Sequence, residues 1–212
     1  MSRTFYGHPL SSYCQKALIA LYEHGVPFDW RVLSPDDPQA GAEFSKLWPM
    51  EHMPVLVDGA RVLRESSVVI EYVDRQNGGG LIPADPDAAL NVRFLDRFFD
   101  NFVMSPVQAI VFDRIRPDGA HDDFGVERMR QRLDKAYGWL EGELGDGWAA
   151  GEDFTLADCA ASPSLFYASK IQPLGGRFPG VAAYLERLEA RPAIARVREE
   201  AQPYWTMFPF AD

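Results

Sequence analysis

Apolar and polar positions change rhythm twice along this chain. Thr4-Phe5-Tyr6 is a short β-prone run closed by Gly7 and Pro9. Cys14, Ala17, Leu18 and Leu21 then recur at i, i+3, i+4 and i+7, which predicts one apolar helix face, and Gly25 stops that helix. Phe28, Trp30 and Val32 alternate with Asp29 and Arg31, as a half-buried strand does. A Pro-rich loop, Ser34-Pro35-Asp36-Asp37-Pro38, leads to a helix expected over Ala42–Leu47. Pro54-Val55-Leu56-Val57 reads as a strand, Asp58-Gly59 as a hairpin turn and Arg61-Val62-Leu63 as the returning strand. A further helix is expected from Ser66 to Asp74, ended by Asn77-Gly78-Gly79-Gly80.

The order is βαβ, then α, a β-hairpin and α. The opening β-α-β predicts a parallel pair with a right-handed crossover, to which the hairpin adds antiparallel strands. That is the thioredoxin topology. Beyond the Gly- and Pro-containing stretch to Pro86 the strand rhythm stops. Leu90, Phe94, Leu95, Phe98, Phe99 and Phe102 mark a long helix, which Ser105-Pro106 should kink. Met129, Leu133, Ala136, Leu140 and Leu144 mark a second. Thr155 opens a third, Val181 to Leu188 a fourth, and Arg191-Pro192 divides off a short fifth ending near Ala201. The expected organisation is a thioredoxin-like α/β domain over residues 1–78, a linker at 79–86 and an all-α helical bundle over 87–212.

Composition narrows the function. With 47% hydrophobic and 25% charged residues, the 212-residue chain can bury an ordinary core. No apolar run reaches the roughly 18–20 residues of a membrane span, and the start goes straight into strand-like sequence. A net charge of −10 without a basic cluster argues against nucleic acid. Cys14 and Cys159 are the two cysteines, too few for a disulfide framework or a zinc site. Together these features predict a cytoplasmic protein with free thiols and no metal.

Three segments carry candidate chemistry. His8 to Lys16 joins the first strand to the first helix, where free amides and the helix dipole favour an anion such as a thiolate. Ser11 stands where a C-x-x-C redox motif has its first cysteine and Cys14 where it has its second. A hydroxyl forms no mixed disulfide, but it can donate to a bound thiolate. Ser11 and Ser12 also suit a simple helix cap. Met53-Pro54 precedes a strand and a tight hairpin, where a cis bond would aim the Met53 amide and carbonyl outward toward an extended peptide. Glu65-Ser66 opens the next helix: the serine and helix amides suit a carboxylate, the glutamate an amine, as in an α-amino acid head.

These segments, with "FYGHPLSSYCQKALIALYEHGVPF", "MPVLVDGARVLRESSVVIEYVD" and "GEDFTLADCAASPSLF" in this order, resemble the glutathione transferase superfamily along the whole chain. The resemblance implies glutathione as co-substrate and a homodimer. It implies that Met53-Pro54 pairs with the cysteinyl backbone, that Glu65 and Ser66 hold the γ-glutamyl head, and that His52 lies near the glycyl carboxylate. Ser11 matches the activating serine of the serine-type (theta/zeta-like) classes, with Tyr6 as the rival from tyrosine-type classes. The electrophile is then expected against Phe102, Met104, Val107, Ile110, Phe112 and Arg114. The aromatic tail Tyr204–Phe210 is read as a lid or as a seal between domains. Thr155-x-x-Asp158 reads as a capping box of the core helix, outside the active site. The alternatives to a detoxifying transferase are an interaction protein on the same fold and a glutathione-dependent isomerase or a thiol reductase using Cys14.

Overall fold

The computed structural model describes residues 3–211. Strand β1 (Arg3–Gly7) pairs in parallel with β2 (Asp29–Val32), and α1 (Ser12–Glu23) makes the crossover. Strand β3 (Val55–Asp58) runs antiparallel to β1 and pairs with β4 (Arg61–Arg64), giving the order β2-β1-β3-β4. Alternation along the strands separates two faces. Phe5 and Leu56 join the core with α1 and α3 (Ser66–Gln76), while Tyr6 and Val55 pack with Phe44 of α2 (Pro38–Leu47). Gly7 is required where β1 meets α1. A Cβ there would stand 2.5 Å from Cys14 Sγ, so the loop entering α1 lies tight against the end of the sheet.

Two boundaries differ from the sequence reading. Helix α2 starts at Pro38 rather than near Ala42, because Asp37 caps it by accepting from Ala40 N at 2.9 Å and Pro38 needs no amide partner in the first turn. The hairpin loop is Gly59-Ala60, one residue later than Asp58-Gly59. Asp58 still pairs with Arg61 as the last rung, and Gly59 supplies a φ of +60°.

The second half is helical throughout: α4 (Pro86–Phe98), a π-helical turn (Phe99–Met104), α5 (Ser105–Arg114), α6 (Asp123–Glu143), α7 (Leu156–Ile171), α8 (Pro179–Glu189), α9 (Pro192–Ala201) and a 3₁₀ turn (Gln202–Met207). The interruption of the long helix is therefore a π turn just before Pro106, not a break at it. Proline cannot donate to Phe102 O and its ring crowds that carbonyl. The helix widens instead, and Ser105 N and Oγ both donate to Asp100 O, the latter at 2.9 Å. Helix α7 is buried along nearly its whole length and packs against α1, α4 and the π turn.

The start of α7 rests on Asp158, which is fully buried. Its carboxylate accepts from Thr155 N (2.8 Å), Thr155 Oγ1 (3.0 Å), Ala149 N (2.8 Å) and Tyr184 OH (2.5 Å). The expected capping box is present, and the carboxylate also anchors the preceding loop and α8. Asp158→Ala should lower stability by about 3–5 kcal/mol, because it strands several buried donors that each cost about 1–3 kcal/mol. Urea unfolding followed by circular dichroism reads that loss, and a shift under about 1 kcal/mol would contradict the anchoring role.

Candidate active site

A cleft of about 800 Å³ opens between the N-terminus of α1 and the second half of the chain. Ser11, His52, Met53, Glu65, Ser66, Met104, Val107 and Phe112 line it, so the structure brings together most of the residues singled out from sequence. Pro54 is buried behind Met53, and the bond between them is cis. Phe102, Ile110 and Arg114 do not line the cleft. Phe102 lies in the π turn and stacks on Phe98, ring centroids 5.4 Å apart. Ile110 is buried in the core, and Arg114 is exposed at the end of α5. The extra residue in the π turn resets the helical phase, so the wall is formed by Met104, Val107, Gln108, Val111, Phe112 and Ile115, spaced i, i+3, i+4, i+7, i+8 and i+11.

Ser11 is the N-cap of α1, and its Oγ accepts from Cys14 N at 3.3 Å. Acceptance uses a lone pair and leaves the hydroxyl proton available, so capping and donation to a ligand are compatible. The loop around it is tightly held. Leu10 N donates to His8 Nδ1 (3.1 Å) and Ser11 N to His8 O (3.0 Å). The buried Gln15 donates to Pro9 O (2.8 Å) and Tyr167 OH (3.0 Å), and Tyr167 OH donates to Leu10 O (2.8 Å). Arg198 Nη1 completes Gln15 by donating to its Oε1 at 2.7 Å. Side chains of α7 and α9 thus hold the carbonyls of a loop in the first half.

Cys14 is fully buried, and burial pushes its thiol up to about 12. Tyr6 is turned to the opposite face of the sheet: its hydroxyl donates to Glu43 Oε2 at 3.0 Å, and burial with that carboxylate raises its pKa. It does not line the cleft. Burial lowers the pKa of His8, which does line it.

Glu65 sits between β4 and α3 with φ +69°, a left-handed value that costs a non-glycine residue about 1–3 kcal/mol. Its carbonyl accepts from Val69 N, while its side chain makes no cap and stays exposed at the cleft. Beside it lies an ion cluster that sequence reading missed. Lys16, 1% exposed, reaches Asp96 Oδ1 at 2.5 Å and Asp100 Oδ2 at 2.7 Å. Lys16 Nζ and Arg97 Nη2 also donate to Ser67 Oγ, at 3.0 and 2.7 Å, and Arg97 pairs with both aspartates. Burial raises the pKa of Asp100, while Lys16 and Arg97 oppose the rise. A signal existed: Cys14 to Leu21 is apolar on every face except Gln15 and Lys16, so both polar residues had to be buried and partnered.

The tail contributes as wall and as seal. Met207, Phe208 and Pro209 line the cleft, while Trp205 and Phe208 pack on Tyr167, ring centroids 6.1 and 5.1 Å away. His8, Leu10 and Tyr13, within the first candidate segment, also line the cleft, and Arg97, Asn101 and Tyr167 are further lining residues not anticipated from sequence. Among the described residues no group of three or more His, Cys, Asp or Glu side chains is arranged to hold a metal ion. No helix there is long and apolar enough to cross a membrane.

Comparison with known proteins identifies one family in both halves of the chain. The family model for the glutathione S-transferase N-terminal domain matches residues 5–80, and that for the C-terminal domain matches residues 123–187. Glutathione S-transferase 3 of Zea mays is 32% identical over 205 residues, covering 90% of each chain. A probable maleylacetoacetate isomerase of Vibrio cholerae is 28% identical, covering 96% of this chain and 98% of its own. The crystal structure of a glutathione S-transferase from Methylobacterium radiotolerans, in complex with glutathione sulfonate, superposes with a TM-score of 0.80 at 29% identity, covering 93% of this chain and 94% of that one. The two-domain fold, the cleft at the head of α1 and these matches agree that this chain belongs to the glutathione S-transferase family.

Proposed function

We propose that this chain is a serine-type glutathione transferase of the cytoplasm, with Ser11 activating the thiol of glutathione for attack on a small apolar electrophile. The observation that carries the reading is Ser11 Oγ at the cleft, capping α1 through a lone pair while its proton remains free to donate. Met53 would pair with the cysteinyl backbone, with Pro54 holding it in place. Glu65 and Ser66 would receive the γ-glutamyl head, and His52 the glycyl end. The chemistry of this donor set fits the tripeptide: an exposed carboxylate for the amine, with a serine and the amides opening α3 for the carboxylate. Val107 and Phe112, with the tail residues, supply apolar surface for the second substrate.

The energy required is modest. A thiol with pKa about 8.5 needs roughly 2.7 kcal/mol of preferential thiolate stabilisation to fall by about two units. One hydrogen bond to an anion supplies about 1.5–3 kcal/mol and a helix N-terminus about 0.3–1. The buried, high-pKa Cys14 and the position of Tyr6 on the far side of the sheet favour Ser11 over either rival. Isomerisation through the same thiolate is the second reading, favoured by the likeness to the probable maleylacetoacetate isomerase along nearly the whole chain.

A homodimer is part of the proposal. The Arg93–Glu71 ion pair, 2.8 Å, joins the outer faces of α4 and α3, and Val68, Leu90 (67% exposed) and Phe94 (49% exposed) lie within a helical turn of it. That apolar group suits a second copy of the chain. Light scattering at micromolar concentration should give a dimeric mass, and Phe94→Glu should shift it toward monomer. A monomeric mass for the native chain would remove this part of the proposal.

Ser11→Ala should leave the fold and most glutathione binding intact, while kcat/KM near neutral pH falls roughly ten- to hundred-fold. The apparent pKa of bound glutathione, followed by thiolate absorbance, should rise toward about 8.5, and higher pH should restore part of the rate. Ser12→Ala and Tyr6→Phe should do much less. Loss of activity in Tyr6→Phe with Ser11→Ala intact would transfer the role to the tyrosine, and dependence on Cys14 alone would make the protein a thiol reductase.

Glu65→Ala should raise the KM for glutathione more than it lowers kcat. The amine it would bind is remote from sulfur, so the contact contributes about equally to ground and transition states. An unchanged KM with a collapsed kcat would contradict that role.

A further inference from the structure

The wall that α5 turns to the cleft has one polar member. Among its lining residues, Val107, Val111 and Phe112 are apolar, as are the flanking Met104 and Ile115; Gln108 alone carries hydrogen-bonding groups. It stands across from Tyr13, two residues past Ser11 on α1, whose hydroxyl donates to Gln108 Oε1 at 3.3 Å. This contact orients the amide. With Oε1 engaged by the phenol, the Gln108 NH₂ group is left as the donor, with no protein acceptor for it among the described residues. Burial pushes the Tyr13 pKa up to about 12, so the phenol keeps the proton with which it holds the amide.

An amide donor in an otherwise apolar wall selects for an acceptor. A ligand lacking one leaves the N–H group desolvated and unpaired, whereas a ligand with a suitably placed oxygen satisfies it. We propose that Gln108, aimed by Tyr13, is the specificity-determining residue of the electrophile site and selects substrates with a carbonyl oxygen conjugated to the reacting carbon. This rests on the transferase reading above. In such a substrate the thiolate sulfur bonds to the β-carbon, and the C=C π pair moves through the α-carbon onto the carbonyl oxygen. That oxygen becomes an enolate and accepts from Gln108 Nε2. The enolate then collapses as the α-carbon takes a proton from water, which replaces the proton released when the thiol ionised. No oxidant or further reactant is needed. Gln108 touches the substrate, and Tyr13 is a positioning residue.

Binding of two product-like conjugates separates this role from packing. S-(3-oxo-3-phenylpropyl)glutathione and S-(3-phenylpropyl)glutathione differ by a carbonyl in place of a methylene, and calorimetry measures each on the full-length protein. The native chain should prefer the oxo conjugate by roughly three- to tenfold. Gln108→Leu should abolish the preference while keeping the affinity for the phenylpropyl conjugate, and Tyr13→Phe should reduce it. In turnover, Gln108→Leu should slow conjugation of an aryl enone roughly ten- to hundred-fold relative to that of benzyl chloride. No preference in the native chain would overturn the proposal whatever the variant does, as would equal losses for both conjugates in a Gln108→Leu chain whose circular dichroism matches the native one. Failure of the native chain to bind either conjugate or glutathione would instead overturn the transferase reading beneath it.

Discussion

An ammonium group buried where the two halves meet constrains everything around it. Lys16 belongs to the helix whose N-terminus forms the head of the cleft, yet its counter-ions, Asp96 and Asp100, belong to the second half. Stripping such a group of water without partners costs several kcal/mol, so α4 and the π turn must sit where both carboxylates reach it. Arg97 and Ser67 close the cluster and extend it to the first turn of α3, next to Glu65 and Ser66. One charge thereby sets the placement of three elements that border the cleft. Hydrophobic contact alone would tolerate sliding, since it has no direction.

Much of the fold was legible because local signals agreed. Strand alternation at Phe28–Val32, the Gly59 turn, the capping box at Thr155–Asp158 and the proline after Arg191 each act within a few residues, and each appears in the structure. The residues that meet at the cleft were legible for the same reason at Ser11, Met53 and Glu65-Ser66, which occupy element ends whose free amides and special backbone shapes are local properties. Their shared position on one cleft follows from the thioredoxin topology, which brings the loop after β1, the loop before β3 and the start of α3 to the same edge.

The remainder depends on phase and distance. Phe102, Ile110 and Arg114, expected at the electrophile wall, do not line the cleft: the expected residues followed no single helix face, whereas Met104, Val107, Gln108, Val111, Phe112 and Ile115 recur at regular helical spacing. Nothing in hydrophobic spacing announces a π turn, although Pro106 marks where regular hydrogen bonding must fail. The contacts Gln15–Tyr167–Leu10 and Tyr13–Gln108 span more than ninety residues and pair polar groups with no periodic signature. Only the burial of Gln15 and Lys16 within an apolar helix hinted that such partners existed.

The π turn also bears on how this scaffold can diversify. Return of Phe99–Met104 to regular helix with all six residues kept would turn α5 by about 100°. Each wall position would then pass to its N-terminal neighbour: Val107 would take the place of Gln108, Ile110 that of Val111, and Val111 that of Phe112. The lining of the second-substrate site could change at several positions in one genetic step, while Ser11, Glu65 and Ser66, upstream of the turn, kept theirs. A single codon change at Pro106, which forces the turn, reaches a lining that several independent substitutions would otherwise have to build.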